Sequence, residues 1–168
     1  LTIFLTGSIE KTHIDLVKEI YTEISVSHEI LKPKIPPLPQ PNKLLINVKM
    51  PATPASNSLY FGKTIGNRKT AHFNDLYILN TILGGYFGSR LVTNIREGKG
   101  LTYGIYSSLD TFLYDGIWYI STELNASNIK KCLHEIKSEF ELLQQKLVHE
   151  QELKMVKNYL LGNHLAAT

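Results

Sequence analysis

Apolar residues recur along this chain at two different periods, and the changes between them predict the order of strands and helices. A continuous apolar run over residues 1–7 predicts a buried β-strand that ends at Gly7. A helical period follows, because the next apolar side chains recur at the spacing of one helix face. These residues are Ile14, Leu16, Val17, Ile20, Tyr21 and Ile24.

From residue 44 onwards the pattern predicts a run of strands and helices. Strands are expected at 44–50, 58–65, 103–112 and 116–124. The last two are joined by Leu-Tyr-Asp-Gly, which is a strong hairpin sequence. Between the two pairs of strands, helical spacing predicts one helix from Phe73 to the Gly84-Gly85 pair. A short second helix is expected from Ser89 to Arg96.

Two helices are predicted after the last strand, and each is expected to bury one apolar stripe. The first stripe consists of Ile129, Cys132, Leu133, Ile136, Phe140, Leu143 and Leu147. The second stripe consists of Leu153, Val156, Tyr159 and Leu160. Strands followed by helices in this order are typical of an α+β fold with an antiparallel-rich sheet.

Proline is confined to one part of the chain, since all seven prolines fall between Pro33 and Pro54. Proline fixes φ and donates no backbone hydrogen bond, so the Pro-rich stretch at 33–41 favours a stiff, polyproline-like connector. We therefore predict a linker at 33–43, between the strand-helix tail of one domain (1–32) and most of a second domain (44–168). An ordinary surface loop is the alternative.

Composition excludes several classes of protein. With 43% hydrophobic and 20% charged residues, the chain is predicted to be globular and not disordered. A net charge of +3 is too small to indicate a nucleic-acid partner, and no apolar run approaches the ~20 residues of a membrane span. The single cysteine, Cys132, excludes an internal disulfide framework and a thiolate zinc site.

No self-sufficient metal site or nucleophile is predicted from the residues. A helix-borne zinc pair needs two histidines one turn apart, whereas no two of the six histidines lie closer than 15 residues. His134-Glu135 and His149-Glu150 are therefore interpreted as solvated helix residues. Cys132 lies on a predicted apolar stripe, where a core cysteine is expected.

One segment has candidate chemistry, namely the two glycine-rich turns on either side of the short helix at 89–96. Arg96 ends that helix and Tyr103 begins the next strand, so a turn between them can direct both side chains into one space. A guanidinium and a phenol are good hydrogen-bond donors to a carbonyl oxygen or an oxyanion. The alternative is that Arg96 caps its helix and Tyr103 packs at a strand edge.

The same segment is recognisable. Leu-Gly-Gly-x-Phe-x-Ser-Arg-Leu followed by Ile-Arg-Glu-x-Lys-Gly-Leu-Thr-Tyr-x-Ile-Tyr-Ser, within 83–108, closely resembles the pitrilysin/insulinase family of zinc metallopeptidases, which includes processing peptidases. Weaker similarity covers nearly the whole chain. The resemblance implies a truncated α+β domain with helices on one face of an antiparallel-rich sheet. It also implies that Arg96 and Tyr103 contact the substrate near the scissile carbonyl, and that Gly84, Gly85 and Gly88 belong to a substrate-binding loop.

The family's zinc motif, H-x-x-E-H, does not occur in this sequence. The resemblance therefore implies zinc in the complete enzyme, held by an upstream domain or a partner subunit, and no zinc bound by this segment. We expect a segment of a zinc metalloendopeptidase that closes over a peptide and orients it, and that is inactive alone. The alternative is a non-catalytic assembly or scaffold subunit, similar to the core proteins of the bc1 complex. A soluble location in a bacterial-type cytoplasm or periplasm is expected, with the compartment itself left open.

Overall fold

The computed structural model describes residues 3–24 and 57–167. The chain divides into two compact units, Leu1–Gln40 and Pro41–Thr168. The predicted linker at 33–43 and the predicted strand at 44–50 lie outside the described residues, so both stay predictions. Within the described ranges, no helix is long and apolar enough to cross a membrane.

The described part of the first unit contains helix α1, Lys11–Glu23, as predicted. Its first turn is closed by a reciprocal cap, in which the Nδ1 of His13 accepts the backbone N–H of Glu10 at 3.0 Å. The predicted strand at 1–7 is wrong over its described residues, because 3–7 adopt no strand conformation. A strand is stabilised by a ladder to a neighbour, and here the apolar run stays exposed, with Phe4 85% accessible.

The second unit is built on an antiparallel sheet whose described strands are β1 (Asn57–Ile65), β2 (Gly104–Thr111) and β3 (Gly116–Leu124). Their spatial order is β1-β3-β2. The predicted strands at 58–65, 103–112 and 116–124 are thereby confirmed. The predicted hairpin between β2 and β3 is also confirmed, and the N–H of Phe112 closes it on the carbonyl of Asp115 at 2.8 Å.

Helices connect and follow these strands. Helix α2 (Phe73–Asn80) continues as a π-helix, π1, over Thr81–Gly85, so helical structure ends at the predicted glycine pair. A second helix covers residues 90–98 and is π-helical over Val92–Gly98; we call it the Arg96 helix. After β3 come a 3-10 turn, α3 (Ile129–Gln145) and α4 (Glu150–Ala166).

The core lies between the helices and one face of the sheet. Strand register places Leu59, Ile105 and Thr122 side by side on that face. The buried core residues are Leu83, Leu91, Val92, Ile95, Ile105, Ile120, Leu124, Cys132 and Ile136. These contacts confirm an α+β fold with helices packed on one face of an antiparallel sheet.

Three residues predicted on the buried stripes of the last two helices are exposed. Leu147 is 98% accessible because α3 already ends at Gln145. Leu133 follows the buried Cys132 by one residue, which turns its side chain about a quarter of a turn away from the core. Tyr159 is 38% accessible, and its ring packs on Tyr86 with centroids 5.0 Å apart.

A buried polar cluster joins the end of α2 to the sheet. The indole Nε1 of Trp118 donates to the Oδ1 of Asn80 at 3.0 Å and to the Oγ of Ser107 at 2.9 Å. Asn80 also donates its Nδ2 to the backbone oxygen of Ser107. A buried polar cluster that is satisfied in this way orders the elements it connects. It therefore holds α2 and π1 in one position against β2.

Candidate functional site

A groove of about 390 Å³ opens between π1, the Arg96 helix and the beginning of β2. Its walls are mostly apolar and aromatic, and Arg96 is the charged residue among them. The lining residues are Gly84, Gly85, Tyr86, Phe87, Val92, Arg96, Tyr103, Gly104, Ile105 and Tyr106. A mostly apolar groove with a few directed polar groups is typical of a ligand-binding site.

Arg96 and Tyr103, the two predicted site residues, meet in this groove. The Nε–H of Arg96 donates to the backbone carbonyl oxygen of Tyr103 at 2.9 Å. The Tyr103 side chain is 99% accessible. The structure therefore differs from the capping alternative, since Arg96 binds a carbonyl beyond its own helix and the Tyr103 ring does not pack at the strand edge.

The turn between these residues explains why they meet. Gly100 adopts a φ of +59°, a left-handed conformation that favours glycine. Backbone hydrogen bonds from the N–H of Gly100 to the carbonyl of Arg96 (3.1 Å) and from the N–H of Leu101 to that of Ile95 (3.0 Å) close the turn. The chain reverses there, and the backbone of Tyr103 returns to the guanidinium of Arg96.

Two threonines hold the backbone that follows the turn. The hydroxyl of Thr122 on β3 donates to the carbonyl of Gly104 at 2.8 Å, and the hydroxyl of Thr102 accepts the N–H of Gly104 at 3.1 Å. Both threonines are buried. The acceptor of the Arg96 hydrogen bond therefore lies in a fixed piece of backbone.

Phe87 is a groove residue that sequence reasoning missed. Its ring covers the guanidinium of Arg96, with the Cζ atom 5.0 Å from the ring centroid, while the ring itself is 68% accessible. This distance is within the range of a cation–π contact. An exposed aromatic residue in a glycine-rich turn was the available signal, but sequence spacing does not specify which cation such a ring covers.

The three predicted loop glycines have different surroundings. Gly84 and Gly85 line the groove, whereas Gly88 does not. A Cβ on Gly84 would lie 2.7 Å from both the backbone nitrogen and the Cβ of Ser107. Gly84 is therefore required where π1 approaches β2 closely, and its predicted role in substrate binding stays a prediction.

An ion pair lies on the side of the Arg96 helix that is turned away from the groove. Arg90, at the start of the Arg96 helix, donates its Nε and Nη2 to the two carboxylate oxygens of Glu152 on α4, each at 2.7 Å. The hydrogen bond to Glu152 raises the pKa of Arg90. Burial, and secondly the negative charge of Glu152, raises the pKa of Tyr86 above that of a free tyrosine. The Tyr86 phenol therefore stays protonated at neutral pH.

The described residues do not fit a zinc site. In the ranges 3–24 and 57–167, no group of three or more His, Cys, Asp or Glu side chains is arranged to hold a metal ion. A hollow at the start of α3 contains His134 and Glu135, but three of its six lining residues are lysines (Lys99, Lys130 and Lys131).

Residues 1–160 match the family model described as the peptidase M16 inactive domain. The chain belongs to the peptidase M16 inactive-domain family. This confirms the resemblance to pitrilysin-type metallopeptidases that the motifs at 83–108 indicate, and with it the α+β fold.

Relatives of this inactive-domain chain are named as proteases and, in one case, as a non-protease. It is 30% identical over 89 residues to the uncharacterized zinc protease YmxG of Bacillus subtilis, covering 53% of this chain and 22% of the relative. It is 32% identical over 88 residues to the non-peptidase homolog YmxG of Helicobacter pylori, covering 51% of this chain and 20% of the relative. The match therefore spans about a fifth of each relative's length.

A solved structure has the same fold. The crystal structure of a peptidase M16 inactive domain from Pseudomonas fluorescens superposes with a TM-score of 0.59 at 29% identity. The superposition covers 66% of this chain and 27% of that one. The inactive domain described here is thus similar in architecture to a domain of a longer chain.

Proposed function

We propose that this chain is the part of a zinc metallopeptidase that closes over a peptide and orients it, while another domain or a partner subunit with an H-x-x-E-H motif binds the zinc. The main support is the hydrogen bond from Arg96 to the backbone of Tyr103, which holds the guanidinium in an apolar groove that Tyr103 also lines. The zinc, when bound in the complete enzyme, supplies Lewis-acid chemistry from outside the described residues.

Arg96 keeps hydrogen-bond donors that its contact with Tyr103 does not use. A guanidinium has five N–H groups, and the Tyr103 carbonyl accepts the one on Nε. The four N–H groups on the two Nη atoms are left to bind a carbonyl oxygen of the peptide. Because the fifth donor is already held, the guanidinium plane is fixed before the peptide arrives, which reduces the ordering cost of binding.

Tyr103 is the second proposed donor. Tyr103 is almost fully accessible and lines the same groove as Arg96, so the phenol can donate to the same carbonyl oxygen. Two donors on that oxygen stabilise the negative charge that develops there during hydrolysis. Gly84 and Gly85 also line the groove, and with no side chains they leave room for a peptide backbone.

A second candidate function is a non-catalytic assembly or scaffold subunit. The Helicobacter pylori relative, named a non-peptidase homolog, supports it. The groove is compatible with both, because it can bind a peptide without cleaving it. The two differ in whether substitution of Arg96 changes turnover.

The test is peptide hydrolysis by the complete polypeptide that contains this segment, or by this chain combined with its zinc-bearing partner. We expect Arg96→Ala to lower turnover by on the order of 10²-fold, the usual effect of losing one such donor, with the zinc content unchanged. Arg68→Ala is the matched control, since Arg68 also donates its Nε to an uncharged oxygen, at the far end of β2. Equal turnover in both variants contradicts the proposal and favours the scaffold function.

A further inference from the structure

The face of the Arg96 helix that is turned away from the groove is bound by carboxylates. Arg90, Asn94 and Lys99 lie along this face, the last being the residue that caps the helix. Each contacts a glutamate on α3 or α4. These glutamates are Glu135 and Glu139 on α3 and Glu152 on α4.

The Arg96 helix forms close contacts at its first residue, near its middle and at its cap. Arg90 forms its two-pronged pair with Glu152 at 2.7 Å, and the Nδ2 of Asn94 donates to Glu139 at 2.9 Å. The same Asn94 amide reaches Glu135 at 3.3 Å, and the Nζ of Lys99 forms an ion pair with that carboxylate. Three acidic side chains therefore tie one short helix to two longer ones.

These glutamates are largely shielded from water. Glu139 is 7% accessible, and the side chains of Glu135 and Glu152 are 18% and 23% accessible. Charge-assisted hydrogen bonds are stronger in such surroundings than on an open surface. External contacts also matter here because a π-helix is a rare conformation that seldom persists without tertiary support.

We propose that Glu135, Glu139 and Glu152 are positioning residues for Arg96. They hold the Arg96 helix from behind, so that the guanidinium in front reaches the Tyr103 carbonyl and the Phe87 ring together. Helix α4 acts at a second point, because Tyr159 packs on Tyr86 next to Phe87. The inference rests on the proposed function for its effect on substrate, but the position of Arg96 can be measured separately.

The direct readout is the Nε–H signal of Arg96 in the nitrogen-15 spectrum of the full chain. This proton bonds to Tyr103, so its exchange with water reports how often that bond opens. We expect Glu152→Gln to raise the exchange rate about tenfold or more, since the two-pronged ion pair with Arg90 is replaced by a weaker hydrogen bond to an uncharged amide. Glu141→Gln is the matched control, because Glu141 pairs with Lys137 on the exposed side of α3 at 3.6 Å.

A rescue variant separates positioning from general stability. Arg90→Glu combined with Glu152→Arg restores an ion pair at the same place, and we expect it to return the Arg96 exchange rate most of the way to the original. If Glu152→Gln does not fold, Glu135→Gln at the other end of the helix replaces it. An Arg96 exchange rate equal to that of the Glu141→Gln control overturns the proposal.

Turnover in the complete enzyme supplies the second measurement. We expect Glu152→Gln to lower kcat with KM changed less than kcat and zinc content unchanged, because Arg96 is displaced and not removed. Faster Arg96 exchange with unchanged turnover would support the positioning role and contradict the proposed function. Unchanged exchange with a lower melting temperature would show that the glutamates only stabilise the fold.

Discussion

Arg96 donates its Nε–H to the backbone carbonyl of Tyr103, across a reversal of the chain at Gly100. The contact joins the Arg96 helix to the residue that precedes β2 and uses the backbone of Tyr103, so the Tyr103 side chain takes no part in it. This separation means that the two proposed substrate donors can be removed one at a time.

Tyr103→Phe removes the phenol donor and leaves the Arg96 guanidinium bonded to the backbone of residue 103. In the complete enzyme we expect turnover to fall by about 10²-fold, since one hydrogen bond to the developing oxyanion is lost. The Nε–H signal of Arg96 is expected to stay in place, because its acceptor is the unchanged backbone oxygen. Tyr114→Phe is the control, as Tyr114 is an exposed tyrosine in the β2–β3 loop. Normal turnover of Tyr103→Phe would remove Tyr103 from the proposed site.

Gly84→Ala tests the close approach of π1 to β2. The added methyl would lie 2.7 Å from the backbone nitrogen of Ser107, so we expect the free energy of unfolding to fall by about 1–3 kcal/mol. Urea unfolding followed by the fluorescence of Trp118, the single tryptophan, measures the change.

The control for that substitution is Gly162→Ala in α4. A Cβ at Gly162 meets nothing within 4 Å, and a helical alanine is more stable than glycine by about 0.5–1 kcal/mol. The two variants are therefore expected to shift the urea midpoint in opposite directions. If the Gly84→Ala protein were as stable as the original, π1 would be able to move away from β2 and admit a side chain.

Low pH is expected to weaken the contacts between Glu135 and the Arg96 helix. The hydrogen bond from Lys99, with smaller contributions from Asn94 and nearby positive charge, lowers the pKa of Glu135 below its usual value. A carboxyl with a lowered folded pKa adds stability above its unfolded pKa of about 4.3, and that stability is lost as pH falls through the folded value. Urea unfolding between neutral pH and about pH 3 should therefore show a loss that Glu135→Gln reduces.

Glu141→Gln serves as the control for this pH series too. Its carboxylate is half exposed and forms its ion pair with Lys137 by side-chain contact along α3 alone. We expect the acid-induced loss in this variant to match that of the original protein. An unchanged loss in Glu135→Gln would mean that other carboxyls determine the acid response.

The strands and helices were predictable where local periodicity and tertiary packing agree. The hairpin of β2 and β3 has its own turn sequence, and the helix from Phe73 ends at a glycine pair, so both were predicted near their observed bounds. The apolar run at 1–7 has the composition of a strand, but its described residues pair with no neighbour. Composition states what a segment prefers, whereas a strand also needs a partner.

The candidate site was predictable only in part. The spacing of Arg96 and Tyr103 allowed both side chains to point into one space, with helix capping and edge packing as the alternative, and the resemblance implied what they do there. Phe87 over the guanidinium and the glutamates behind the Arg96 helix were not predicted. Glu152 lies 62 residues from Arg90 along the chain, and no short-range pattern encodes a contact at that separation.

By itself, the sequence determined the family, the order of the described strands and most helices, and two of the residues that line the groove. Those features depend on local periodicity, on turn chemistry and on a motif within one short segment. Tertiary structure alone decided that Arg96 binds the backbone of Tyr103, that Phe87 covers it, and that carboxylates of α3 and α4 hold it from behind. The reason is physical: hydrogen bonds and ion pairs depend on distances of a few ångströms, which are set only once the turn at Gly100 closes and segments far apart in the sequence pack together.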